Sequence, residues 1–205
     1  MILVSASAAT PVPWKNGGGV TRELLRLPAD DTDDWTLRIS VADIDVDGPF
    51  SPFPGIARWF AVLTGSGVRL RWPRHARHMR PGEAPLHFDG ADAPDCTLFD
   101  GPTRDLNVMV RKDRATAELT VAALDDEWQP EHAIGVGFFA LRSLTLHGAG
   151  EAPIELAALS LAWSDSPHDR PRAGHAWRLQ DKQDSGGAQE HTMPGYWIRL
   201  LPAHR

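Results

Sequence analysis

The most regular stretch of the chain is Trp35-Thr36-Leu37-Arg38-Ile39-Ser40-Val41. Apolar and polar side chains alternate along it, and a period of two is typical of a half-buried β-strand. In an open sheet the polar face with Arg38 and Ser40 meets solvent. In a small closed barrel it lines the lumen, where a buried arginine requires an anionic partner. Asn107, in the β-forming run from Asp105 to Val110, leaves the same two alternatives open.

Outward from this strand, the rest of the chain is built from short β-forming runs. The 18 Gly and 17 Pro residues leave little room for long helices. Two runs, 59–63 and 68–72, flank Gly65-Ser66-Gly67 and predict a hairpin. The polar stretch 165–187 predicts a long surface loop. The further strand predictions are 86–88, 97–99, 106–110, 119–124, 138–146, 154–163 and 197–201. Many short strands at this spacing predict an all-β barrel or sandwich, in two halves that meet near residue 111.

Composition narrows the function classes. The chain has 205 residues, 42% of them hydrophobic and 23% charged, which is ordinary for a globular protein. A formal net charge of −6 argues against a general nucleic-acid binder. The single cysteine, Cys96, allows no internal disulfide and favours a reducing compartment. Neither a secretory signal nor a membrane-spanning apolar run is recognisable. We therefore expect a cytoplasmic protein without nucleic-acid or membrane partners.

The most distinctive motif runs from Trp14 to Glu23 and contains three consecutive glycines. Amides in a glycine turn can form an anion-binding concavity, and Lys15, Asn16 and Thr21 would add donors beside Gly17 and Gly18. The spacing matches neither a P-loop nor a dinucleotide-binding fingerprint. The alternative is a flexible turn that leads into the first long strand.

A histidine cluster offers the only candidate metal ligands. His75 and His78 are followed by Glu83 and His87, but the spacing is His-x-x-His rather than the His-x-His of metal-binding cupins. Five arginines crowd the cluster with positive charge, which disfavours a divalent cation. We expect neither a metal nor another cofactor, and we interpret the arginines as a solvated face. Cys96 has no basic neighbour to activate it as a nucleophile, so no catalytic residue is assigned.

Seven motifs together resemble the HutD/Ves family. The resemblance covers roughly residues 3–125 and implies a bicupin, which is two related β-barrel halves packed in one compact unit. Residues 1–110 would form the N-terminal cupin-like barrel and 111–205 the C-terminal half. In chain order, the motifs are Trp14-Lys15-Asn16-Gly17-Gly18-Gly19 with Thr21-Arg22-Glu23, the strand from Trp35 with Arg38 and Ser40, Asp47-Gly48-Pro49-Phe50-Ser51, Phe53-Pro54-Gly55 with Arg58, Leu63-Thr64-Gly65, Phe88-Asp89-Gly90 and Asp105-Leu106-Asn107-Val108-Met109.

The family implies a metal-independent protein that binds a small acidic metabolite, such as N-formimino- or N-formyl-glutamate. It would thereby regulate histidine utilisation without catalysing a reaction. Arg58 would pair with a carboxylate or hold the 47–51 loop. The other implied ligand-binding residues are Lys15, Asn16, Gly17, Gly18 and Thr21 at the border of the pocket, and Arg38, Ser40 and Asn107 in its wall.

A second function class stays open at this point. A metal-independent cupin enzyme, a hydrolase or an isomerase, could act on a formylated or imidazole-derived acid. Such an enzyme needs a titratable group with a shifted pKa in the pocket, for which Lys15 is the first candidate. The sequence also leaves open whether two copies pair as a homodimer.

Overall fold

The computed structural model describes residues 1–28, 34–124, 127–148, 152–165, 176–181 and 193–203. All regular elements in these residues are β-strands, so the all-β prediction is confirmed. No helix in the described ranges is long and apolar enough to cross a membrane. The strands are β1 (Ile2–Ser5), β2 (Pro11–Pro13), β3 (Gly19–Leu27), β4 (Leu37–Ile44), β5 (Gly48–Pro49), β6 (Ile56–Thr64), β7 (Val68–Arg71), β8 (Ala76–Met79), β9 (Leu86–Asp89), β10 (Asp95–Leu98), β11 (Thr103–Arg111), β12 (Ala115–Val121), β13 (Gly135–Ala140), β14 (Leu144–His147), β15 (Ile154–Leu156), β16 (Ser160–Ser164), β17 (Arg178–Asp181) and β18 (Gly195–Pro202).

The chain divides into two units. The N-terminal unit comprises Ala8–Ala117, and the C-terminal unit combines Glu118–Pro202 with Met1–Ser7. The first residues belong to the C-terminal unit because β1 pairs antiparallel with β16, with Ile2 opposite Trp163. The predicted halves, 1–110 and 111–205, follow chain order and so do not show that β1 belongs to the C-terminal unit.

In the N-terminal unit, two antiparallel sheets enclose an apolar core. The larger sheet has the order β2-β3-β4-β11-β6-β9, and the smaller one β5-β10-β7-β8. Phe60 and Val62 of β6 pack in one cluster with Leu70 of β7, Met79 of β8 and Cys96 of β10. Alternate side chains of strands such as β6 and β7 therefore fill the space between the sheets.

The alternation predicted from residue 35 onward is present in β4. Leu37, Ile39 and Val41 are fully buried on one face of the sheet. Ser40, on the opposite face, is also buried, and Arg38 beside it keeps only about a quarter of its side chain exposed. The polar face of β4 is therefore not a solvent face, and the open-sheet alternative is wrong for this strand.

The predicted hairpin of the runs 59–63 and 68–72 is wrong. β6 pairs with β11 and β9, whereas β7 pairs with β8 and β10 in the other sheet. The connection carries the chain from one sheet to the other through Gly65 and Gly67, both with positive φ. A Cβ at Gly67 would lie 2.5 Å from the backbone oxygen of Met79, so the turn requires glycine to make this close passage.

The C-terminal unit repeats the two-sheet plan with the orders β1-β16-β13-β18-β12 and β15-β14-β17. Its core is rich in aromatic rings, with Trp177 and Trp197 packed beside Phe138. The predicted runs 138–146 and 154–163 each contain two strands instead of one. β17 lies within the stretch 165–187 that was predicted as a loop, of which 166–175 and 182–187 lie outside the described residues. Two units, each made of paired antiparallel sheets, give the architecture expected of a bicupin.

Candidate functional site

A cavity of about 590 Å³ lies in the N-terminal unit, against one face of the six-stranded sheet. Its wall comes from β2, β3, β4, β6 and β11, from the turn that joins β2 to β3, and from the segment around β5. Two of the nine predicted site residues, Gly17 and Gly18, are not part of this wall. The seven that line it are Lys15, Asn16, Thr21, Arg38, Ser40, Arg58 and Asn107.

Two rows of cross-strand neighbours form the polar floor of the cavity. Residues opposite each other on adjacent strands point to the same face of a sheet, so each row presents its side chains together. The first row is Glu23 on β3, Ser40 on β4 and Asn107 on β11. The second row, from β3 to β6, is Arg26, Arg38, Met109 and Arg58.

Arg58 is the most deeply placed cation of the cavity, with only 9% of the residue exposed. Its Nε and Nη2 atoms donate to Oδ1 of Asn107 over 2.9 and 2.5 Å. The Phe50 ring lies 4.4 Å from the guanidinium carbon, so Arg58 also holds the segment around β5. Burial lowers the pKa of Arg58 to about 10, which leaves it charged at neutral pH. Within the described chain, Nη1 has no hydrogen-bond partner.

A fully buried carboxyl group, Asp105, lies beside this cation on β11. Burial raises the pKa of Asp105 to about 7, although the Thr103 hydroxyl and the charge of Arg58 act in the opposite direction. The Thr103 hydroxyl donates to Oδ2 over 2.8 Å, while Oδ1 is buried without a partner. Asp105 does not line the cavity, and it influences Arg58 through its charge.

Arg38 has a carboxylate partner within the protein, which sequence reasoning did not anticipate. Its Nε donates to Oε2 of Glu23 over 2.6 Å. Nε and Nη2 of Arg26 donate to Oε1 and Oε2 of the same carboxylate, over 2.9 Å each. Burial acts to raise the pKa of Glu23, but the hydrogen bonds from Arg26 and Arg38 hold it below its ordinary value. One carboxylate is thus shared between two guanidinium groups on the β3 side of the cavity.

The glycine motif forms a tight turn between β2 and β3, and its Gly17 and Gly18 amides form hydrogen bonds within the turn. Gly17 N–H donates to the backbone oxygen of Trp14 over 3.0 Å, and Gly18 N–H donates to Oδ1 of Asn16 over 3.1 Å. Gly17 adopts a φ of 73°, a conformation that favours glycine. The amides expected to hold an anion are therefore engaged in the turn itself, whose effect is to place Lys15 and Asn16 at the cavity.

Two further predicted residues, Lys15 and Thr21, complete the polar lining. The Thr21 hydroxyl accepts a 2.8 Å hydrogen bond from the indole N–H of Trp14, which leaves its own proton available to donate. Lys15 is exposed and forms no ion pair with the described residues. Together with the three arginines, Lys15 gives the wall four cationic side chains against the single carboxylate of Glu23.

Sequence reasoning missed Glu23 and Arg26 as members of this wall. Both lie on β3, where strict alternation from Glu23 would turn Leu25 toward the cavity and Arg26 away from it. A bulge between Glu23 and Leu25 shifts the register, so Arg26 comes to share a face with Glu23. Glu23 itself stood in the Thr21-Arg22-Glu23 motif, and alternation from Thr21 could have identified it.

The histidines of the candidate metal cluster contact aromatic rings. His75 stacks on Trp72 at 4.7 Å between ring centroids, and His78 meets Phe99 edge-on at 5.3 Å. In the described ranges, no group of three or more His, Cys, Asp or Glu side chains is arranged to hold a metal ion. The exposed Arg69 and Arg71 alternate with buried residues on β7, in agreement with a solvated face. That the protein binds no metal stays a prediction.

Comparison with known proteins relates this chain to proteins of the histidine-utilisation region. A family model described as HutD matches residues 6–183. An uncharacterized 21.2 kDa protein in the hutC 3' region of Pseudomonas putida is 37% identical over 118 residues, 57% of this chain and 62% of that protein. Protein Ves of Citrobacter koseri is 38% identical over 110 residues, 53% of this chain and 57% of that protein. The match spans less than two thirds of the length of either relative.

Solved structures resemble the chain over nearly its whole length. HutD from Pseudomonas fluorescens SBW25, determined in a formate condition, is 26% identical with a TM-score of 0.76 and covers 98% of this chain and 97% of its own. An oxalate decarboxylase of Bacillus subtilis, 8% identical with a TM-score of 0.60 over 100% of this chain and 78% of its own, shares the cupin-type fold alone. Because the HutD model matches well over half of the residues, the chain belongs to the HutD/Ves family, which is associated with histidine utilisation.

Proposed function

We propose that the cavity of the N-terminal unit binds a small organic acid and that Arg58 receives its carboxylate. The protein acts in histidine utilisation as a non-catalytic binding protein. Its ligand is an acidic intermediate such as N-formimino- or N-formyl-glutamate, and occupancy of the cavity regulates the pathway. A carboxylate suits this site because a guanidinium offers two parallel N–H groups to its two oxygens.

The state of Arg58 carries this proposal. Its hydrogen-bond partner is the neutral amide of Asn107, and the carboxyl beside it, Asp105, has its pKa raised to about 7 by burial. A buried cation without a hydrogen-bonded anion is costly unless a ligand completes it. Nη1, which has no partner within the described chain, is the atom that a ligand oxygen would meet.

Neutral donors beside Arg58 support the same interpretation. Ser40 Oγ and Asn107 Nδ2 line the cavity without a hydrogen-bond partner among the described side chains and backbone. Both belong to one cross-strand row, so they can donate to the same bound oxygen. The excess of cationic side chains in the wall adds long-range attraction for an anion.

The composition of the wall supports binding over catalysis. A general acid or base works best with a pKa near the operating pH. The one carboxylate in the described wall, Glu23, is held in two ion pairs with its pKa lowered.

One observation favours the enzyme alternative, a hydrolase or isomerase acting on a formylated or imidazole-derived acid: the pKa of Asp105 is raised to about 7. Asp105 does not line the cavity, which counts against this alternative.

The related HutD of Pseudomonas fluorescens was determined in a formate condition, which makes formate one of the acids to test. Formate is the smallest carboxylate, and a site that accepts it needs only the carboxylate contacts proposed for Arg58. A longer acid would extend along the first row toward Glu23.

Titration calorimetry tests the proposal with N-formyl-glutamate, N-formimino-glutamate, glutamate, urocanate and formate. We expect at least one acid to bind with an affinity between about −8 and −4 kcal/mol, which corresponds to micromolar to millimolar Kd. Arg58→Gln should cost about 2–4 kcal/mol of that affinity. Arg71→Gln is the matched control, since it removes the same charge from an exposed ion pair with Asp95.

Binding of none of the five acids, or equal binding by wild type and Arg58→Gln, contradicts the proposal. Arg58→Lys, which keeps the charge and loses the fork of N–H groups, serves if the glutamine variant does not fold. Conversion of any of the acids, followed by chromatography, would favour the enzyme alternative instead.

A further inference from the structure

The carboxylate of Glu23 divides the cavity into two ends of different chemistry. At one end, Arg58 presents an unused N–H group beside Asn107. At the other end, Arg26 and Arg38 already bind a carboxylate, that of Glu23. An acid that placed a second carboxylate there would bring it next to Glu23, and two like charges at close range repel each other.

The Glu23 carboxylate retains capacity for a further donor. It accepts three N–H groups, two from Arg26 and one from Arg38, whereas an ionised carboxylate offers about four acceptor positions. About a third of the Glu23 side chain is exposed, and the residue lines the cavity. A ligand N–H group could therefore complete its hydrogen bonding.

The distance between the two ends sets the length of a suitable ligand. Glu23, Ser40 and Asn107 are direct neighbours on three consecutive strands, so the backbones of Glu23 and Asn107 are roughly 10 Å apart at the ordinary strand spacing. The side chains shorten the gap between the Glu23 carboxylate and the Arg58 end. A chain of a few carbon atoms spans such a gap.

We propose that Glu23 is a specificity-determining residue that selects acids with one carboxylate for Arg58 and an N–H-bearing group at the other end, and that it disfavours a second carboxylate there. The distal group is an amidinium, an amide or an imidazole. This inference rests on the proposed function and narrows its ligand class: a dicarboxylic acid such as N-formimino-glutamate fits only if its second carboxylate lies away from Glu23.

Three isosteric acids test the proposal by calorimetry: glutarate, its monoamide and 4-amidinobutyrate. They share one carboxylate and a three-carbon chain, and they differ in a negative, neutral or positive far end. On wild-type protein we expect both acids with an N–H-bearing end, the monoamide and 4-amidinobutyrate, to bind more tightly than glutarate. Glu23→Gln should raise the affinity for glutarate relative to 4-amidinobutyrate about tenfold or more, because it removes the negative charge that repels a second carboxylate and attracts an amidinium group.

Glu118→Gln is the matched control. It removes an identical charge from an ion pair with Arg199 in the C-terminal unit, so the order of the three acids should stay that of the wild type. Glutarate binding as tightly as 4-amidinobutyrate to wild type, or an unchanged ratio in Glu23→Gln, overturns the selectivity and leaves carboxylate binding standing. If Glu23→Gln does not fold, the wild-type order alone decides. Binding of none of the acids to either protein overturns the proposed function together with this inference.

Discussion

Replacing Asp105 by asparagine should change the pH dependence of stability. Asp105 is fully buried, and burial raises the pKa of its carboxyl group from 3.8 to about 7. The unfolded chain exposes this group and returns its pKa to the ordinary value. Between these two values the folded protein holds a proton that the unfolded chain has lost, so the free energy of unfolding falls as the pH rises.

The size of the effect follows from the shift. A rise from 3.8 to about 7 corresponds to roughly 4 kcal/mol at about 1.4 kcal/mol per pKa unit. The loss begins above pH 4 and is complete once the folded carboxyl is also ionised, above pH 7. Asparagine cannot ionise, and its oxygen can still accept the Thr103 hydroxyl. Its NH₂ group would occupy the position of the partnerless Oδ1 at a cost of about 1–3 kcal/mol that does not vary with pH.

Urea unfolding at pH values from 4 to 8, followed by tryptophan fluorescence, measures the difference. The free energy of unfolding of Asp105→Asn, relative to that of wild type, should increase by about 4 kcal/mol from pH 4 to pH 8. Asp95→Asn removes an exposed carboxylate from the same unit and controls for the loss of one negative charge. Parallel profiles for wild type and Asp105→Asn would refute the assignment of a buried carboxyl group with a raised pKa at this position.

Three further predictions concern stability and reactivity. Gly19→Ala should destabilise the N-terminal unit by about 2–4 kcal/mol, because the new Cβ would lie 2.2 Å from a backbone oxygen of β4. In the control variant Gly48→Ala, the new Cβ meets no atom within 4 Å. Equal urea midpoints for the two variants would contradict this prediction. Trp197→Ala should lower the free energy of unfolding by about 3–5 kcal/mol, since this buried ring stacks on the indole of Trp128 at 4.6 Å. Val121 is half-exposed, so Val121→Ala should change the stability little. A similar loss of stability in both variants would contradict the importance of the aromatic core. Burial raises the pKa of the Cys96 thiol to about 12, so a disulfide reagent at pH 8 should modify it only after unfolding, and rapid reaction of the native protein would be the contrary result.

Much of the site was predictable because strand alternation assigns side chains to faces without any knowledge of the sheet. Arg38 and Ser40 share one face of β4 by their spacing alone. Asn107 follows from the same reasoning on β11, and the family motifs added Arg58. That these residues line one cavity depends on the register of three adjacent strands, which local sequence does not specify.

The errors come from long-range pairing and from local irregularity. β7 pairs with β8 and β10 instead of β6 because the connection through Gly65 and Gly67 leads from one sheet to the other. The alternation of side chains along a strand does not indicate which strand it pairs with. The bulge after Glu23 brings Arg26 to the cavity face, which a strict period of two excludes. As a result, the sequence alone points to a ligand as the anionic partner of Arg38, although Glu23 of the protein is that partner.

The most direct test of carboxylate binding is a crystal structure of the protein with N-formimino-glutamate at saturating concentration. We predict a carboxylate oxygen about 3 Å from Nη1 of Arg58, with Ser40 or Asn107 donating to the same group and the formimino nitrogen facing Glu23. A cavity that holds no ligand under these conditions, or a ligand carboxylate bound away from Arg58, would contradict the account.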